Sequence, residues 1–532
     1  MVRGRWLNGL VLVGVMLGPA CGPGGPGTNT TNITPSDAGH GGADAGASLD
    51  AGSTGDAGAS DAGTTDAGFA SDAGTPPLPV TLPPSTSDWR FFGGPQMAGP
   101  NTVLGASYDD GSNLWVAGGE EGLFLLRPGA SKFERFTMAD GLRPYGYMPD
   151  GSDPAGSKYL KVLSVSGAGA GTVFVGYHGK PGPGGELECE GNWDGPNPDP
   201  SIYKSGDADK VTLTATGISV VHYDIFSGPG IVGGELRGRE KLCNILRIRY
   251  DKANDKVWFG GNHGFAMGEA SYQGNASCEW EASINPPPPA HKTDPFSNEY
   301  GHKGCNGVLE HTHPAFNGYH DDTSSVCCAY LTGGYYGVSV DPVTRDVWFG
   351  GQMRTTKFHY ASSGNNYFAA ESQTEDPQFI SNRIDIWPDR VGEPNYPRPA
   401  DRVDDLVSGA AAMHDGTVWL SSFKYGLAHL DSGGGVSARV STSDGLFTNK
   451  LSAVAADPGD QSVWAGANSG GGVTRMRGGS FQTYDGAVFG LELANEGISD
   501  LQMSGAGNGR LVVVSFAGDK SHAGAVGVYS GP

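Results

Sequence analysis

One short pattern recurs from residue 88 onward and limits the folds that the chain can adopt. An apolar segment ends in a turn rich in Asp and Gly, and a second segment then begins with an aliphatic residue that Trp usually follows. The second segments are residues 114–116, 173–175, 257–259, 347–349, 418–420, 463–465 and 511–513. Asp and Gly tolerate the backbone angles that reverse a strand, so each copy predicts a β-hairpin. The apolar character of both strand faces indicates sheets that are covered on both sides.

Third and fourth strands follow in most copies. The first copy continues with residues 122–126 and 132–136, and the sixth continues with residues 472–476 and 480–484. Four antiparallel strands in each of seven copies predict an all-β fold, a seven-bladed β-propeller of four-stranded antiparallel blades. Glycine accounts for 88 of the 532 residues, which argues against long helices and agrees with this prediction.

The repeat resembles that of the two-component regulator propeller family. In that family an aliphatic-Trp strand, a Gly-Leu strand and an outer aromatic strand lead into an Asp-Gly-Leu link, which this chain has at residues 140–142 and 444–446. The resemblance covers residues 88–532 and implies a sensor ectodomain, frequently one for polysaccharides. A WD40 propeller fits less well, because no Gly-His and Trp-Asp pair recurs.

The two ends of the repeat region predict how the ring closes. The last copy has three strands, at about residues 498–503, 510–515 and 525–529, and lacks an outer one. Residues 88–92, Asp-Trp-Arg-Phe-Phe, read as a spare outer strand ahead of the first copy. Pairing residues 88–94 with residues 524–529 would remove an exposed sheet edge, so we expect an N-terminal strand to close the ring.

Residues 1–21 predict export. Arg3 and Arg5 precede an apolar run at residues 6–17, which is too short for a bilayer that needs about 20 apolar residues. With Cys21 after small residues, the segment resembles the signal peptide of bacterial lipoproteins, and the resemblance implies lipidation at Cys21. We therefore expect an outer-membrane or cell-surface protein held by an N-terminal lipid; ordinary secretion with cleavage near Ala20 is the alternative.

Residues 22–87 predict a disordered tether. Asp-Ala-Gly recurs through this segment, which has no Lys or Arg, and Pro residues follow near its end. So little apolar surface cannot offset the entropy of ordering. The whole chain carries a formal charge of −22, and a field of that sign repels phosphate backbones, so we expect no nucleic-acid partner.

Uneven spacing of the copies predicts loop insertions at residues 178–200, 217–242, 284–334 and 372–403, with a further one at 138–159. These segments fall between second and third strands or between one blade and the next, which lie on the same face of an up-and-down blade. We expect them to cap one end of the channel, where binding residues on β scaffolds usually lie.

Six cysteines besides Cys21 fall within or near these insertions: Cys189, Cys243, Cys278, Cys305, Cys327 and Cys328. Export and an even count predict three disulfides, whose connectivity stays open.

Two groups of side chains in the insertions are candidates for binding or chemistry. A metal ion could be held by His302, His311, His313, His320 and Asp321, although their spacing matches no catalytic metal motif. A ligand could stack on exposed aromatic rings, for which the candidates are Tyr319, Tyr330, Tyr335 and Tyr336.

Two functions fit this sequence. A binding or sensing module for a glycan, peptide or partner protein is favoured, with no cofactor expected. A propeller lyase or hydrolase that uses the His/Asp cluster of residues 284–334 is the alternative.

Overall fold

A computed structural model describes thirteen stretches of the chain. These are residues 76–145, 158–181, 206–223, 231–232, 235–236, 244–261, 264–273, 334–351, 355–359, 379–383, 407–470, 472–504 and 511–531. Within these stretches nearly all regular structure is β-strand, as the glycine content predicts. None of the helices described is long and apolar enough to cross a membrane.

The strands form antiparallel sheets. We number the sheets in chain order, leaving aside the N-terminal strand, which joins the last sheet. Sheet 1 contains β2 (Gly105–Tyr108), β3 (Leu114–Ala117), β4 (Leu123–Leu126) and β5 (Glu134–Phe136). Sheet 2 contains β6 (Val162–Gly167), β7 (Thr172–Tyr177), β8 (Ala208–Leu213) and β9 (Ile218–Tyr223). A separate hairpin, β10 (Ile231–Val232) and β11 (Glu235–Leu236), precedes sheet 3, which contains β12 (Ile245–Asp251), β13 (Lys256–Gly261) and β14 (Gly264–Glu269).

The remaining sheets repeat the same order. Sheet 4 contains β15 (Gly337–Val340), β16 (Asp346–Gly350), β17 (Thr355–His359) and β18 (Phe379–Arg383). Sheet 5 contains β19 (Val407–Ala412), β20 (Val418–Ser422), β21 (Gly426–Leu430) and β22 (Val436–Val440). Sheet 6 contains β23 (Leu451–Asp457), β24 (Ser462–Ala467), β25 (Val473–Arg477) and β26 (Ser480–Tyr484). Sheet 7 contains β27 (Ile498–Ser504), β28 (Leu511–Phe516), β29 (Ala525–Tyr529) and β1 (Trp89–Gly93).

Short helical segments accompany the strands in the described part of the chain. An α-helix, α1, spans Gly486–Asn495 between sheets 6 and 7, and 3-10 turns occupy Pro95–Met97 and Met138–Asp140. The sequence did not predict α1.

The first strand of each sheet contacts the first strand of the next sheet, and β27 contacts β2, so the contacts close in a cycle. This is the arrangement of an all-β propeller with four-stranded antiparallel blades. The described residues supply six complete four-stranded sheets where the sequence predicted seven blades, and β12–β14 form a sheet of three strands.

The N-terminal strand closes the cycle as the sequence predicted. Strand β1 pairs antiparallel with β29 in a register that runs from Trp89 opposite Tyr529 to Gly93 opposite Ala525. The first and last strands of the described chain therefore share one sheet, and its outer edge is supplied from a distant part of the sequence.

The signature Trp residues pack between neighbouring sheets. Trp258 lies with Val338 and Phe349 of sheet 4 in one apolar cluster, and Trp348 and Trp464 lie in the corresponding clusters against sheets 5 and 7. All three side chains are buried. Burying a large aromatic side chain in this way stabilises the fold by about 2–3 kcal/mol. The signature Trp rings therefore hold neighbouring sheets together.

Turn aspartates link two of the hairpins to the neighbouring sheet. Asp109 Oδ1 accepts from the Gly111 N–H at 2.8 Å, and Asp109 Oδ2 accepts from the Gly171 N–H of sheet 2 at 2.9 Å. Asp341 Oδ2 likewise accepts from the Gly416 N–H of sheet 5 at 2.9 Å. The Asp-rich turns therefore fix the hairpins and also join sheets that are adjacent in the ring.

Three predicted boundaries need correction. Strand β9 lies inside the predicted insertion 217–242, and β18 lies inside 372–403. Both are outermost strands. Strand β9 is partly exposed, and β18 has a weakly apolar sequence, so neither shows an apolar pattern that distinguishes it from a loop. The predicted tether 22–87 also ends too late, because Val80 is buried against sheet 7 and the Leu78 N–H donates to Asn101 Oδ1 at 2.7 Å.

Candidate binding face

The strand order separates the links between strands into two groups. In a four-stranded antiparallel sheet, the second-to-third link and the link to the next sheet leave at the same edge. We call this edge of the propeller the insertion face, and the opposite edge, with the first-to-second turns, the turn face. Strand β7 ends at the insertion face, just before the predicted insertion 178–200.

A cavity of about 300 Å³ opens on the insertion face between sheets 6 and 7. Its walls come from the second-to-third link of each sheet and from α1 with the residues that follow it. The lining residues are Ser469, Leu491, Glu492, Asn495, Glu496, Gly497, Asp519 and His522.

Helix α1 forms one wall of this cavity. The Asp485 carboxylate caps its N-terminus by accepting from the Ala487 N–H at 3.0 Å. Phe489 and Leu493 bury their side chains in the core between sheets 6 and 7. Gly490 has a φ of 73°, which kinks the helix and turns Leu491 outward, where its side chain is 80% exposed. The helix therefore presents an apolar side chain at the cavity rim.

The polar end of the cavity brings together Glu496, Asp519 and His522. One ligand atom from each side chain lies within 4.8 Å of the others. Glu496 is only 5% exposed, and burial, together with the nearby Asp519 charge, raises the pKa of its carboxyl to about 7.

Asp519 belongs to a tight loop that fixes its orientation. Burial acts to raise the pKa of Asp519, but hydrogen bonds from Ser521 and His522 outweigh it and hold the pKa below its ordinary value. Asp519 Oδ1 accepts from the Ser521 N–H at 2.6 Å and from the His522 N–H at 2.7 Å. A charged carboxylate and an imidazole thus stand at the mouth of a more deeply buried carboxyl group.

A segment ahead of β1 fixes the outer side of α1. The Thr81 N–H donates to Glu492 Oε2 at 2.6 Å, and the Ala523 N–H donates to the Pro79 carbonyl at 2.9 Å. Residues 78–82 therefore brace the helix and the loop that carry the cavity.

The central channel is filled by a polar network. Arg247 on β12 forms an ion pair with Asp500 on β27, and Gln502 donates to Asp500 Oδ2 at 2.7 Å. Arg249 lies 3.8 Å from the same carboxylate, and burial lowers its pKa to about 10. This network joins opposite parts of the ring.

Two of the four candidate stacking residues lie in the described part of the chain. Tyr335 and Tyr336 are buried just before β15, so the expectation that they are exposed is wrong. Tyr335 packs in the cluster that contains Trp258, and the Tyr336 carbonyl accepts from Arg247 Nε at 2.9 Å. The two residues lead directly into the inner strand β15, so they pack with the sheets and are not part of a loop.

The other predicted site residues lie outside the described residues. They are Cys21, Cys189, Cys243, Cys278, Cys305, Cys327, Cys328, His302, His311, His313, His320, Asp321, Tyr319 and Tyr330. Their predicted roles in lipidation, disulfides, metal binding and ligand stacking stay predictions.

Sequence reasoning missed the residues of the cavity. Glu496 and His522 lie 26 positions apart in links of ordinary length, and no short motif joins them. The pairing of β27 with β28 in sheet 7 brings them together, and the Ala517 N–H donates to the Gly497 carbonyl at 2.9 Å beside them, so the strand topology would have been the available signal.

Comparison with known proteins yields structural likenesses alone. No protein-family model matches the sequence, and no curated protein matches it. An extracellular domain assigned to a hybrid two-component system of B. thetaiotaomicron superposes with a TM-score of 0.41 at 12% identity, over 82% of this chain and 41% of that one. This chain therefore spans less than half of that protein's chain.

Two further solved structures give similar values. YCF48 from Cyanidioschyzon merolae has a TM-score of 0.43 at 12% identity, with 84% of this chain and 99% of that chain covered. A chain of the mitotic checkpoint complex has a TM-score of 0.42 at 6% identity, with 85% and 98% covered. Likenesses this low carry no argument about function.

Proposed function

We propose that this chain is an exported β-propeller that binds or senses a glycan, peptide or partner protein at its insertion face. The observation that carries the proposal is the cavity between sheets 6 and 7, which combines an apolar rim with convergent polar groups. Its volume of about 300 Å³ lies at the lower end of the range for small-ligand sites.

The distribution of exposed apolar side chains supports this choice of face. Among the described residues, Leu491 and Phe447, at 80% and 49% exposure, belong to links on the insertion face, and Val343, at 69%, lies on the turn face; Leu491 is the one that lines the cavity. Exposed large apolar residues around a polar pocket are typical of interaction sites. The Arg247–Asp500 ion pair fills the channel beneath, so a ligand is expected to bind over the face and not to pass through the ring.

We also propose a ring of seven blades, with β12–β14 counted as the third. Its support is that β12 contacts β6 on one side and β15 on the other, as a blade's inner strand does. With sheet 3 included, the blade count equals the number of signature strands in the sequence.

Export and anchoring through a lipid on Cys21 belong to the same proposal. Their support is the leader sequence alone, residues 1–21. Two or three acyl chains hold a protein on a membrane stably, at about 0.8 kcal/mol per buried CH₂. The Cys21→Ser variant should therefore move from the membrane fraction to the soluble fraction on cell fractionation; wild-type protein found soluble with Cys21 intact would leave a secreted propeller.

A pair of matched substitutions tests the binding face. Full-length protein is applied to glycan arrays, peptide arrays and a panel of displayed extracellular proteins. Leu491→Arg should weaken the binding that these arrays detect at least tenfold. Val343→Arg is the control, because Val343 is 69% exposed and lies on the turn face. Equal binding by both variants, or no wild-type binding to any of the three classes, would contradict the proposal.

The enzyme alternative, a lyase or hydrolase, depends on the His/Asp cluster of residues 284–334, which lies outside the described residues. Cleavage of an array-identified glycan or peptide by wild-type protein would favour it over simple binding.

A further inference from the structure

The cavity between sheets 6 and 7 brings two carboxyl groups and an imidazole together. Glu496 is almost completely buried, and Asp519 lies close enough for its charge to act on the Glu496 carboxyl. A second carboxylate beside a buried carboxyl group is unfavourable unless a proton or a cation joins the two. His522 is the third member of the group, and its Nδ1 lies 3.6 Å from Asp519 Oδ1.

The three side chains offer the donor atoms of a metal site. One atom from each lies within 4.8 Å of the other two, and they converge on open space because all three residues line the cavity. Ligand atoms around a tetrahedral ion lie about 3.3 Å apart when each metal–ligand distance is about 2.0 Å. The side chains would therefore close inward by about 1 Å on binding, which the partly exposed Asp519 and His522 can do.

The donor types select among metal ions. Ca²⁺ requires six to eight oxygen ligands, whereas one imidazole nitrogen and two carboxylate oxygens suit Zn²⁺ and similar first-row ions. Three protein ligands would leave a coordination position open toward the cavity.

We propose that Glu496, Asp519 and His522 bind a divalent transition-metal ion, Zn²⁺ in the first instance, at the insertion face. None of these three residues belongs to the group of His302, His311, His313, His320 and Asp321 that the sequence suggested for a metal ion. The site lies between sheets 6 and 7. It stands whether or not the cavity also binds an organic ligand.

Calorimetry on the full chain tests this site. Protein is freed of metal with a chelator, and ZnCl₂ is titrated into wild type, Glu496→Gln and His522→Ala. Other His and Cys residues of the chain can also bind Zn²⁺, so the readout is the difference between wild type and variant. Wild type should bind one ion more per chain than either variant, or bind that ion at least tenfold more tightly.

A control and a second readout keep the result clear. Asp110→Asn removes a carboxylate from the turn face, where Asp110 pairs with exposed Lys252, and should bind like wild type. Zn²⁺ should also raise the melting temperature of wild type and of Asp110→Asn, but not that of the two ligand variants. Equal stoichiometry and affinity in wild type and both ligand variants would overturn the proposal, as would wild-type binding at millimolar Zn²⁺ alone.

This test is independent of the array experiment. Loss of Zn²⁺ binding in Glu496→Gln with array binding intact would support the metal site, even if the proposed ligand-binding function failed.

Discussion

Basic side chains on third strands face the signature aromatic rings, a feature that the sequence analysis did not identify. The pairs are Trp348 with Lys357, Trp464 with Arg475, Trp419 with His429, and Phe174 with Lys210. The Lys357 ammonium lies 5.2 Å from the Trp348 ring centre, and the Arg475 guanidinium lies 5.1 Å from that of Trp464. Such cation–π contacts contribute about 1–2 kcal/mol when they are shielded from water.

Three of these cations also reach the following sheet. Lys357 Nζ donates to the Ser432 carbonyl at 2.8 Å, Arg475 Nη1 donates to Tyr529 Oη at 3.1 Å, and Lys210 Nζ donates to the Ala270 carbonyl at 3.0 Å. A basic residue at one register position thus links sheets 2, 4 and 6 to their neighbours. Lys and Arg in a strand read as solvent-facing in sequence, which is why this role was not predicted.

Lys357 offers a test of these buried cations. Its ammonium lies 2.8 Å from Asp346 Oδ2, and both side chains are at least nine-tenths buried. Lys357→Met removes the ammonium group beside this buried carboxylate, which keeps the Thr344 hydroxyl as a donor at 2.9 Å, and should lower the free energy of unfolding by about 3 kcal/mol. The double variant Lys357→Met/Asp346→Asn should recover part of that loss in denaturant titrations. A double variant less stable than the sum of the two single losses would contradict this account.

His178 predicts how stability depends on pH. Burial, with the charge of Lys161 adding to it, lowers the pKa of His178 from 6.5 to about 4, and the Tyr159 hydroxyl lies 2.9 Å from its Nδ1. The unfolded chain takes up a proton below pH 6.5, whereas the folded chain keeps His178 neutral until about pH 4. The stability from neutral His178 is therefore complete above pH 6.5 and is lost as the pH falls toward 4.

The measurement is the unfolding free energy of wild type and His178→Asn at pH 7 and pH 4.5. Wild type should lose about 1–2 kcal/mol more than the variant over this interval, since partial exposure reduces the full effect. Identical pH dependence in the two proteins would show that His178 does not titrate in this way.

At the scale of elements, all the second strands were predictable, but the outer strands only in part: β1, β5 and β26 were predicted, and β9 and β18 were not. All seven signature segments lie in second strands, from β3 at Leu114–Ala117 to β28 at Leu511–Phe516. Their two covered faces impose a continuous apolar run that the sequence displays directly. Strand β9 is half-exposed, and so it carries no such run.

Helix α1 and the segment before β1 escaped prediction for a different reason. Only Phe489 and Leu493 of the helix are buried, and Gly490 interrupts it, so no helical apolar period is visible. Residues 78–82 have a Pro-rich sequence that resembles a linker, and contacts with residues distant in the sequence fix them, among them Asn101, Glu492 and Ala523. The cavity depends on both elements, so the sequence predicted the face that carries it but not its residues.

Strand β1 offers a matched pair of variants for ring closure. The Trp89 ring lies within 6.4 Å of the rings of Phe91, Trp464, Tyr484, Phe489 and Tyr529. Trp89→Ala should lower the free energy of unfolding by about 3–5 kcal/mol, because it empties this cluster and weakens the closing strand. Arg90→Ala changes an exposed neighbour on the same strand and should cost less than about 0.5 kcal/mol.

Thermal and denaturant unfolding measure both variants. Equal losses in Trp89→Ala and Arg90→Ala would contradict the role of β1 as the strand that holds the ring closed.

At the scale of the whole molecule, closure and binding are connected. Strand β1 completes sheet 7, and the chain just before it braces α1 through Glu492. Sheet 7 in turn supplies Asp519 and His522, while the link from sheet 6 supplies Glu496. The cavity of the insertion face therefore lies beside the sheet in which the ring closes. The formal charge of the chain, −22, favours ligands that are neutral or cationic.

Hydrogen–deuterium exchange of the full chain, with and without the ligand that the arrays identify, tests the central claim most directly. If the ligand binds at the insertion face, residues 485–497 and 517–523 should exchange more slowly when it is bound. The turn-face residues 109–113 and 341–345 should exchange at the same rate with and without it. Protection confined to the turn face, or spread equally over both faces, would contradict binding at the insertion face.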